Sequence, residues 1–399
     1  MIEFDDALKK VLDHAQDYGK ETVPLEESQG RVLAENIIAD RDFPPFDRST
    51  KDGIAIQFDA IKSQGGTFVV SGMAQAGTPQ ISLENSSNCT EVMTGAIVPK
   101  NADTVIMYEH TSREGDVFTV NKPIKKGQNI HYQASDIHQG EVLLQQGIPI
   151  TSAEIGVLAS VGKAQVMVKK LPKVAVISTG NELVDVEEVP LPFQIRKSNS
   201  HSLRSLLEME RITASTYHLM DNPSSIEEKL KELMETYDVL LLSGGVSMGK
   251  YDFLPKTFEV LGVEKVFHKV LQRPGKPFWF GKHLKNKTIM FSFPGNPVST
   301  FVNYHLYFKP WLCKTLDREP NQFTVTLEKP YTNETGLTLF IGVKIDIQEG
   351  CLMAKTLSTS GSGDLVGLSK VDGFVLIPPK ETLQKEAKVI FIPTRNLWQ

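Results

Sequence analysis

Two textures of hydrophobic spacing divide the chain. In "FDDALKKVLDHAQDY" (4–18), Phe4, Ala7, Leu8, Val11 and Leu12 recur at helical spacing and predict an amphipathic helix. From Val23 to about Lys170 the apolar positions fall instead into short β-branched runs broken by glycine and proline: "TFVVSGMAQAGTP", "EVMTGAIVP", "DTVIMYEH" and "DVFTV". No long helical pattern interrupts them before "TSAEIGVLASVG" (151–162), so this region predicts a β-rich module with a small helical companion.

The spacing changes again over residues 173–313. A strand "KVAVIS" precedes the turn "TGNE", and "SNSHSLRSLLEMER" (198–211) is amphipathic with good capping residues at its start. Then follow "ITASTYHLM", a charged helix "SIEEKLKELMET" (225–236), the strand "DVLLLS" (238–243), a helix "DFLPKTFEVLG", the run "KVFHKVL", the strand "TIMFSF" and a helix "PVSTFVNYHLYF". Strands alternating with helices on this scale mean βα units around a mostly parallel sheet. After about residue 320 the pattern returns to strands, "QFTVTLE", "LTLFIGVKIDIQ", "GFVLIP" and "KVIFIP". The expected organisation is an N-terminal region (1–170) of linker-type and β-rich parts, whose first twenty residues are free to pack with the centre, an α/β domain (171–317) and a small β domain (318–399).

Composition narrows the class. The 399 residues are 40% hydrophobic and 23% charged, ordinary for a globular chain, and the formal charge of −5 argues against a broad nucleic-acid surface. Cys89, Cys313 and Cys351 are odd in number and scattered, which suits a reducing cytoplasm better than a disulfide framework or a zinc site. No basic and apolar leader opens the chain and no run of eighteen apolar residues occurs, so a soluble cytoplasmic protein without a membrane partner is expected.

The candidate chemistry lies where the central strands end. Thr179, Gly180, Asn181 and Glu182 follow the first strand and Asp221 the second. Ser243, Gly244, Gly245, Ser247 and Gly249 follow the third, with Asp252 beyond; Pro294, Gly295, Asn296 and Pro297 follow the last. Open α/β sheets bind small ligands at this edge. Glycines let backbone N–H groups approach an anion and serines add donors, so "SGGVSMG" suits a phosphate. It is neither a Walker A loop nor a Rossmann fingerprint. In "PGNPVS", prolines fix the backbone while Gly295 gives access, and Asn296 or Ser299 supplies a donor. "RPGKPFWFG" carries Arg273 and Lys276 on a stiff loop able to grip a phosphate, whereas Phe278, Trp279 and Phe280 read as packing residues.

Carboxylates facing a phosphate repel it, and a divalent cation offsets that repulsion. Magnesium suits a few carboxylates, waters and phosphate oxygens, which makes Glu182, Asp221 and Asp252 the candidate metal residues. A second polar cluster, Asp47, Ser49, Lys51 and Asp52 with Thr94 and Gly95, lies in the N-terminal β region. The histidines His131, His138 and His201 form no ligand motif, and neither Ser178 nor Ser243 sits in a nucleophile elbow, so serine hydrolysis is not expected.

The stretches "PPFDRSTKDGIAI", "VMTGAIVPKNADTVIMYE", "VAVISTGNELV", "QIRKSN", "SGGVSMGKYD", "RPGKPFWFG" and "FPGNPVS", in this order, resemble the MoeA family of molybdopterin molybdenumtransferases over almost the whole chain. The resemblance implies a dimer of four-domain subunits with the cleft shared between the central domain of one and the β region of the other. It implies adenylylated molybdopterin and molybdate as substrates, AMP as a product, and transient contact with a molybdopterin adenylyltransferase. The family's catalytic positions fall on Asp52, Thr94, Glu182, Asp221 and Asp252, and its "PGKP" lysine on Lys276. The phosphate site would also serve an adenylyltransferase, although the complete N-terminal β module argues against that job alone, and an inactive binding scaffold is a further alternative.

Some positions depart from the family's pattern. Asn181 stands for an acid, Lys197 for the acid of Asp-Ser-Asn, and His131, Ala134, Ser135 and Asp136 for an arginine and Gly-Glu-Asp. In the last domain "FIGV" lacks an arginine often found there, and "VDG" replaces Ala-Asn-Gly.

Overall fold

A computed structural model describes residues 1–246, 253–319 and 322–397; the expected site residues Ser247 and Asp252, with Gly249, lie outside that range. The chain forms two compact units. One comprises Met1–Val23, Gly30–Val32 and Met167–Gln399, the other Pro24–Gln29 and Leu33–Val166.

The first unit is built on a six-stranded sheet of β1 (Val174–Thr179), β2 (Ser215–Leu219), β3 (Val239–Ser243), β4 (Val263–His268), β5 (Trp279–His283) and β6 (Ile289–Phe293). The order is β2-β1-β3-β6-β5-β4. The pairs β2–β1, β1–β3 and β3–β6 are parallel, while β5 runs antiparallel to both β6 and β4. The parallel core explains the unbroken apolar runs, because both faces are covered. Val174 and Val176 of β1 face one cluster with Val239, Leu241 and Phe291, while Ala175 and Ile177 face the other with Leu240, Leu242 and Met290.

Among the described residues, six helices flank this sheet: α1 (Phe4–Leu12), α2 (Asn199–Met209), α3 (Pro223–Thr236), α4 (Leu254–Val260), α5 (Pro297–Asn303) and α6 (Lys309–Thr315). The first face packs on α2, α5 and α6 through Leu203, Leu207, Val302 and Trp311. The second packs on α3 and α4 through Ile226, Leu230 and Phe258. Helix α1 joins the first face through Phe4, Ala7 and Val11. It ends at Leu12 although the apolar spacing extends further, and the His14 carbonyl accepts instead from the Trp311 indole at 3.1 Å. Phe278 and Phe280 point into the first cluster and Trp279 into the second, as residues in a two-sided strand must.

Between α5 and α6 the chain makes a π turn, Tyr304–Phe308. Its His305 is 5% exposed, and neither ring nitrogen has a hydrogen-bond partner among the described residues. Burial, helped by nearby Lys309, pushes its pKa down to about 3. An unfolded histidine titrates near 6.5, so below that pH the unfolded chain binds a proton that the folded chain refuses. Stability is therefore held above about pH 6.5 and falls with acid by up to about 1.4 kcal/mol per pH unit until about pH 3. His305→Phe should flatten that slope in urea melts taken between about pH 6.5 and 4.5. Equal slopes in variant and parent would remove His305 as the source.

The rest of this unit is a small closed β structure. Thr338–Gln348 pairs with both Cys351–Thr356 and Gly373–Ile377, and Phe323–Leu327 and Lys388–Pro393 complete the ring. Closure leaves no long edge strand open.

The second unit contains a six-stranded sheet in the order Thr104–Met107, Gly53–Ile56, Asn88–Val92, Thr67–Ala74, Val117–Val120 and Thr111–Glu114. Its helix Ser152–Ser160 starts from a capping box in which Thr151 and Glu154 satisfy each other's end groups.

Candidate functional site

The carboxyl ends of β1, β2, β3 and β6 open on a cavity of about 600 Å³. Thr179, Gly180 and Glu182 enter it from β1, Asp221 from β2, Ser243, Gly244 and Gly245 from β3, and Pro294, Gly295, Asn296 and Pro297 from β6. Residues outside the sequence-derived set of site residues also line it, among them Lys197, Asn199 at the start of α2, Pro277, and Gly363 from the C-terminal domain. This is the edge where the strand order reverses direction about β1 and β3, the usual ligand crevice of a doubly wound sheet.

Only glycine fits the turn after β3. Gly244 has φ +99°, and a Cβ there would lie 2.8 Å from the Thr179 hydroxyl and 2.9 Å from the Thr179 carbonyl oxygen. Gly245, at φ +69°, would meet the same hydroxyl at 3.0 Å. The Gly244 N–H donates to the Phe293 carbonyl at 3.1 Å, tying the turn to β6. The Thr179 hydroxyl beneath it is buried and has no partner among the described residues.

The ends of β1 and β2 are clasped by a reciprocal pair. The Asp221 N–H donates to Asn181 Oδ1 at 2.9 Å, and the Asn181 N–H donates to Asp221 Oδ2 at 3.3 Å. A neutral amide at position 181 thus makes the clasp without adding a second anion beside Asp221. Glu182 enters no ion pair among the described residues. Lys197 lines the cavity and pairs at 2.5 Å with Asp185, whose pKa it lowers mainly by hydrogen bonding.

The register of β1 against β2 sets Ser178 opposite His218, and Ser178 Oγ lies 3.1 Å from His218 Nδ1. Burial and then Lys197 lower the His218 pKa, which favours the neutral ring. The pair is invisible in the sequence because forty residues separate its members.

The loop carrying Arg273 and Lys276 is fixed from below. Buried Gln272 donates to the Pro274 carbonyl and to Asn303 Oδ1, each at 2.9 Å, and accepts from the Tyr307 hydroxyl. Asn303 Nδ2 donates to the Gly275 carbonyl at 3.2 Å. Pro277 reaches the cavity; the exposed Lys276 side chain is not part of its wall, and Arg273 lines a neighbouring cavity of about 740 Å³ with Tyr331 and Phe340. Ser299 is buried within α5, away from the cavity wall, while Asn296 Nδ2 donates to Ser362 Oγ at 2.8 Å.

In the second unit, Asp52 and Thr94 meet although 42 residues apart, because Gly53 pairs with Val92 in the sheet. The Thr94 N–H and hydroxyl both donate to Asp52 Oδ1, at 2.6 and 2.8 Å. These bonds, the backbone one first, lower the Asp52 pKa, so the exposed carboxylate is ionised at neutral pH. Nearby in the same unit, Arg48 Nη2 lies 3.1 Å from His131 Nδ1, and His131 Nε2 lies 2.9 Å from Asp136. His131 and Asp136, among the positions that differ from or align with the family's Arg…Gly-Glu-Asp pattern, are therefore joined by a direct bond.

Comparison with known proteins agrees with this architecture along the chain. Residues 2–162 match the family model described as MoeA N-terminal region (domain I and II). Residues 175–314 match that described as "Probable molybdopterin binding domain". A molybdopterin molybdenumtransferase of Synechocystis sp. is 36% identical over 382 residues, covering 95% of this chain and 96% of the relative. One from Staphylococcus aureus is 34% identical over 391 residues, covering 94% and 91%. The crystal structure of the molybdopterin biosynthesis MoeA protein from Pyrococcus horikoshii superposes with a TM-score of 0.81 at 30% identity, over 98% of this chain and 100% of that one. With residues 2–162 and 175–314 matched by the two family models and 95% of the chain aligned to a relative at 36% identity, the protein belongs to the MoeA family of molybdopterin molybdenumtransferases.

Proposed function

We infer that the chain is a molybdopterin molybdenumtransferase, which inserts molybdenum from molybdate into adenylylated molybdopterin and releases AMP. The observation that carries this reading is the cavity at the carboxyl ends of β1, β2, β3 and β6, where a glycine turn that tolerates no side chain faces the Pro294–Pro297 turn. With the Gly244 N–H tied to the Phe293 carbonyl, the backbone N–H of Gly245 is the turn's donor suited to the phosphate of the adenylate, and the Ser243 hydroxyl to its support. Insertion of the metal between the dithiolene sulfurs is coupled to cleavage of the adenylate at phosphorus by an oxygen nucleophile.

Magnesium fits the donor chemistry. Glu182 and Asp221 bring carboxylate oxygens to one cavity, and magnesium takes one or two carboxylates together with phosphate and water oxygens rather than a closed protein cage. Among the described residues no cluster of three or more His, Cys, Asp or Glu side chains forms such a cage; Asp252, the third expected ligand, lies outside them. A bound magnesium ion supplies charge neutralisation at the phosphoryl oxygens. Glu182→Gln should raise the magnesium concentration for half-maximal turnover severalfold; a titration superimposable on the parent's would strike Glu182 from the ligand set.

In this reading Asp52 and Thr94 act on substrate held by a second copy of the chain, which makes the active species a homodimer. A fully active monomer in sedimentation would overturn it. The adenylylated substrate comes from a molybdopterin adenylyltransferase, with which contact is transient. The three unpaired thiols, Cys89, Cys313 and Cys351, support a reducing cytoplasm as the setting, and no helix among the described residues is long and apolar enough to cross a membrane.

The deciding experiment mixes purified protein with adenylylated molybdopterin and magnesium, and measures AMP with and without molybdate. Molybdate-dependent AMP release with molybdenum in the product is the expected result. Tight binding with neither product would overturn the transferase reading in favour of a scaffold.

A further inference from the structure

We propose that Asn199 is a positioning residue of this site, locking the Ser243–Gly245 turn to the Pro294–Pro297 turn through its amide donors and keeping its Oδ1 as an acceptor for a hydroxyl or N–H of the ligand. The assignment rests on the functional reading above and adds to it a residue and a recognition role.

Asn199 opens α2 and is half-buried in the cavity wall. Its Nδ2 lies 2.7 Å from the Gly295 carbonyl oxygen, 2.8 Å from Ser243 Oγ and 3.3 Å from Thr300 Oγ1. The three acceptors belong to the end of β3, the turn after β6 and helix α5, so one side chain joins three elements. A carbonyl oxygen can only accept, and Gly295 therefore dictates which end of the amide is NH2. Thr300 gives its own hydrogen to the Pro294 carbonyl at 2.6 Å, which leaves the Thr300 oxygen able to receive. Both amide hydrogens are thus spent on protein.

Oδ1 remains, and among the described residues it has no partner. It is an acceptor in the wall of the cavity that the Gly245 backbone also lines. A phosphate oxygen placed against it would meet a like partial charge, whereas a hydroxyl or ring N–H would be bound. The same amide thereby shapes the anion turn and favours a ligand whose neighbouring group donates. Loss of such a bond with the turn left unsupported costs more than the bond alone, since Ser243 and Gly295 also lose their restraint.

The test is fluorescence titration of adenylylated molybdopterin into the full-length protein and two variants, with melting temperatures measured in parallel. Asn199→Ala, which removes both functions, should weaken binding at least about tenfold, the size of one hydrogen bond to a well-ordered group. Asn199→Asp at pH 8 places a carboxylate oxygen against the Gly295 carbonyl and should bind as poorly. At pH 5 protonation returns a donor to that position, and the aspartate variant should recover relative to the parent at the same pH. Simple loss of packing gives no such recovery. An alanine variant that binds within twofold of the parent, or an aspartate variant whose deficit is the same at both pH values, overturns the assignment alone. A parent that binds no adenylylated molybdopterin overturns the functional reading and the assignment together.

Discussion

Gly244→Val should abolish binding of adenylylated molybdopterin, weakening it by roughly a hundredfold or more, about 2.7 kcal/mol. Position 244 sits at φ +99°, where an L side chain is strained by about 1–2 kcal/mol before any contact is counted. The added Cβ also meets the Thr179 hydroxyl at 2.8 Å and the Thr179 carbonyl oxygen at 2.9 Å. Relief requires the turn to shift away from Thr179, which would disturb the cavity wall where the proposed function puts the ligand's phosphate. Its N–H bond to the Phe293 carbonyl, the link to β6, goes with it. The obvious compensating change does not rescue: Thr179→Ala deletes the hydroxyl but leaves the carbonyl oxygen in place. The double variant should therefore bind no better than Gly244→Val. Isothermal titration of each, beside thermal melts showing the central domain still folded, checks the prediction, and binding by Gly244→Val within threefold of the parent would show that the turn does not hold the phosphate.

Asp52→Ala should lower turnover by roughly a hundredfold or more while ligand affinity changes by less than about threefold. The reason lies in how the carboxylate is used. Both Thr94 donors converge on Oδ1, which leaves Oδ2 without a partner among the described residues, and the same bonds hold the acid ionised. A carboxylate with a depressed pKa is a weak proton acceptor but a strong hydrogen-bond acceptor. In the proposed reaction such a group would orient a molybdate hydroxyl or an attacking water without keeping the proton. Asp52→Asn separates the two contributions, since its amide oxygen can still receive both Thr94 donors while the charge is gone. Turnover by the asparagine variant close to the alanine value assigns the effect to charge; turnover close to the parent's assigns it to the fold of the Thr94 turn. Unchanged turnover in Asp52→Ala would remove Asp52 from the reaction. The linkage sign predicts a companion effect. Because the folded-state pKa of Asp52 is lowered, its stabilising contribution is present above about pH 4 and is lost as acid protonates it.

The sequence made the central sheet legible because its strands are buried on both faces and therefore appear as continuous apolar runs, "VAVIS", "VLLLS" and "IMFSF". The glycine and proline turns after those strands were equally plain, since φ above zero and a rigid helix entry leave few choices of residue. The reach of α1 was less so. Its apolar spacing continues past Leu12, but the Trp311 indole takes the His14 carbonyl, a partner almost three hundred residues away. The same limit hid the clasp between Asn181 and Asp221, the Gln272–Asn303 support beneath the "PGKP" loop and the pairing of Ser178 with His218. Each depends on strand register or on two elements meeting, and periodicity along one element carries neither.

What the sequence determined by itself was the α/β class of the centre, the β character of both flanks, and a row of turns at one sheet edge; these follow from local backbone preference and from the period of apolar positions. Only the tertiary structure decided which polar groups act together. It took β1–β2 register to bring Asn181 to Asp221, pairing of Gly53 with Val92 to bring Thr94 to Asp52, and the packing of α2 against β1 and α5 to set Asn199 where its amide joins Ser243 and Gly295. Hydrogen bonds act over about 3 Å, so they answer to position in space and leave no period along the chain.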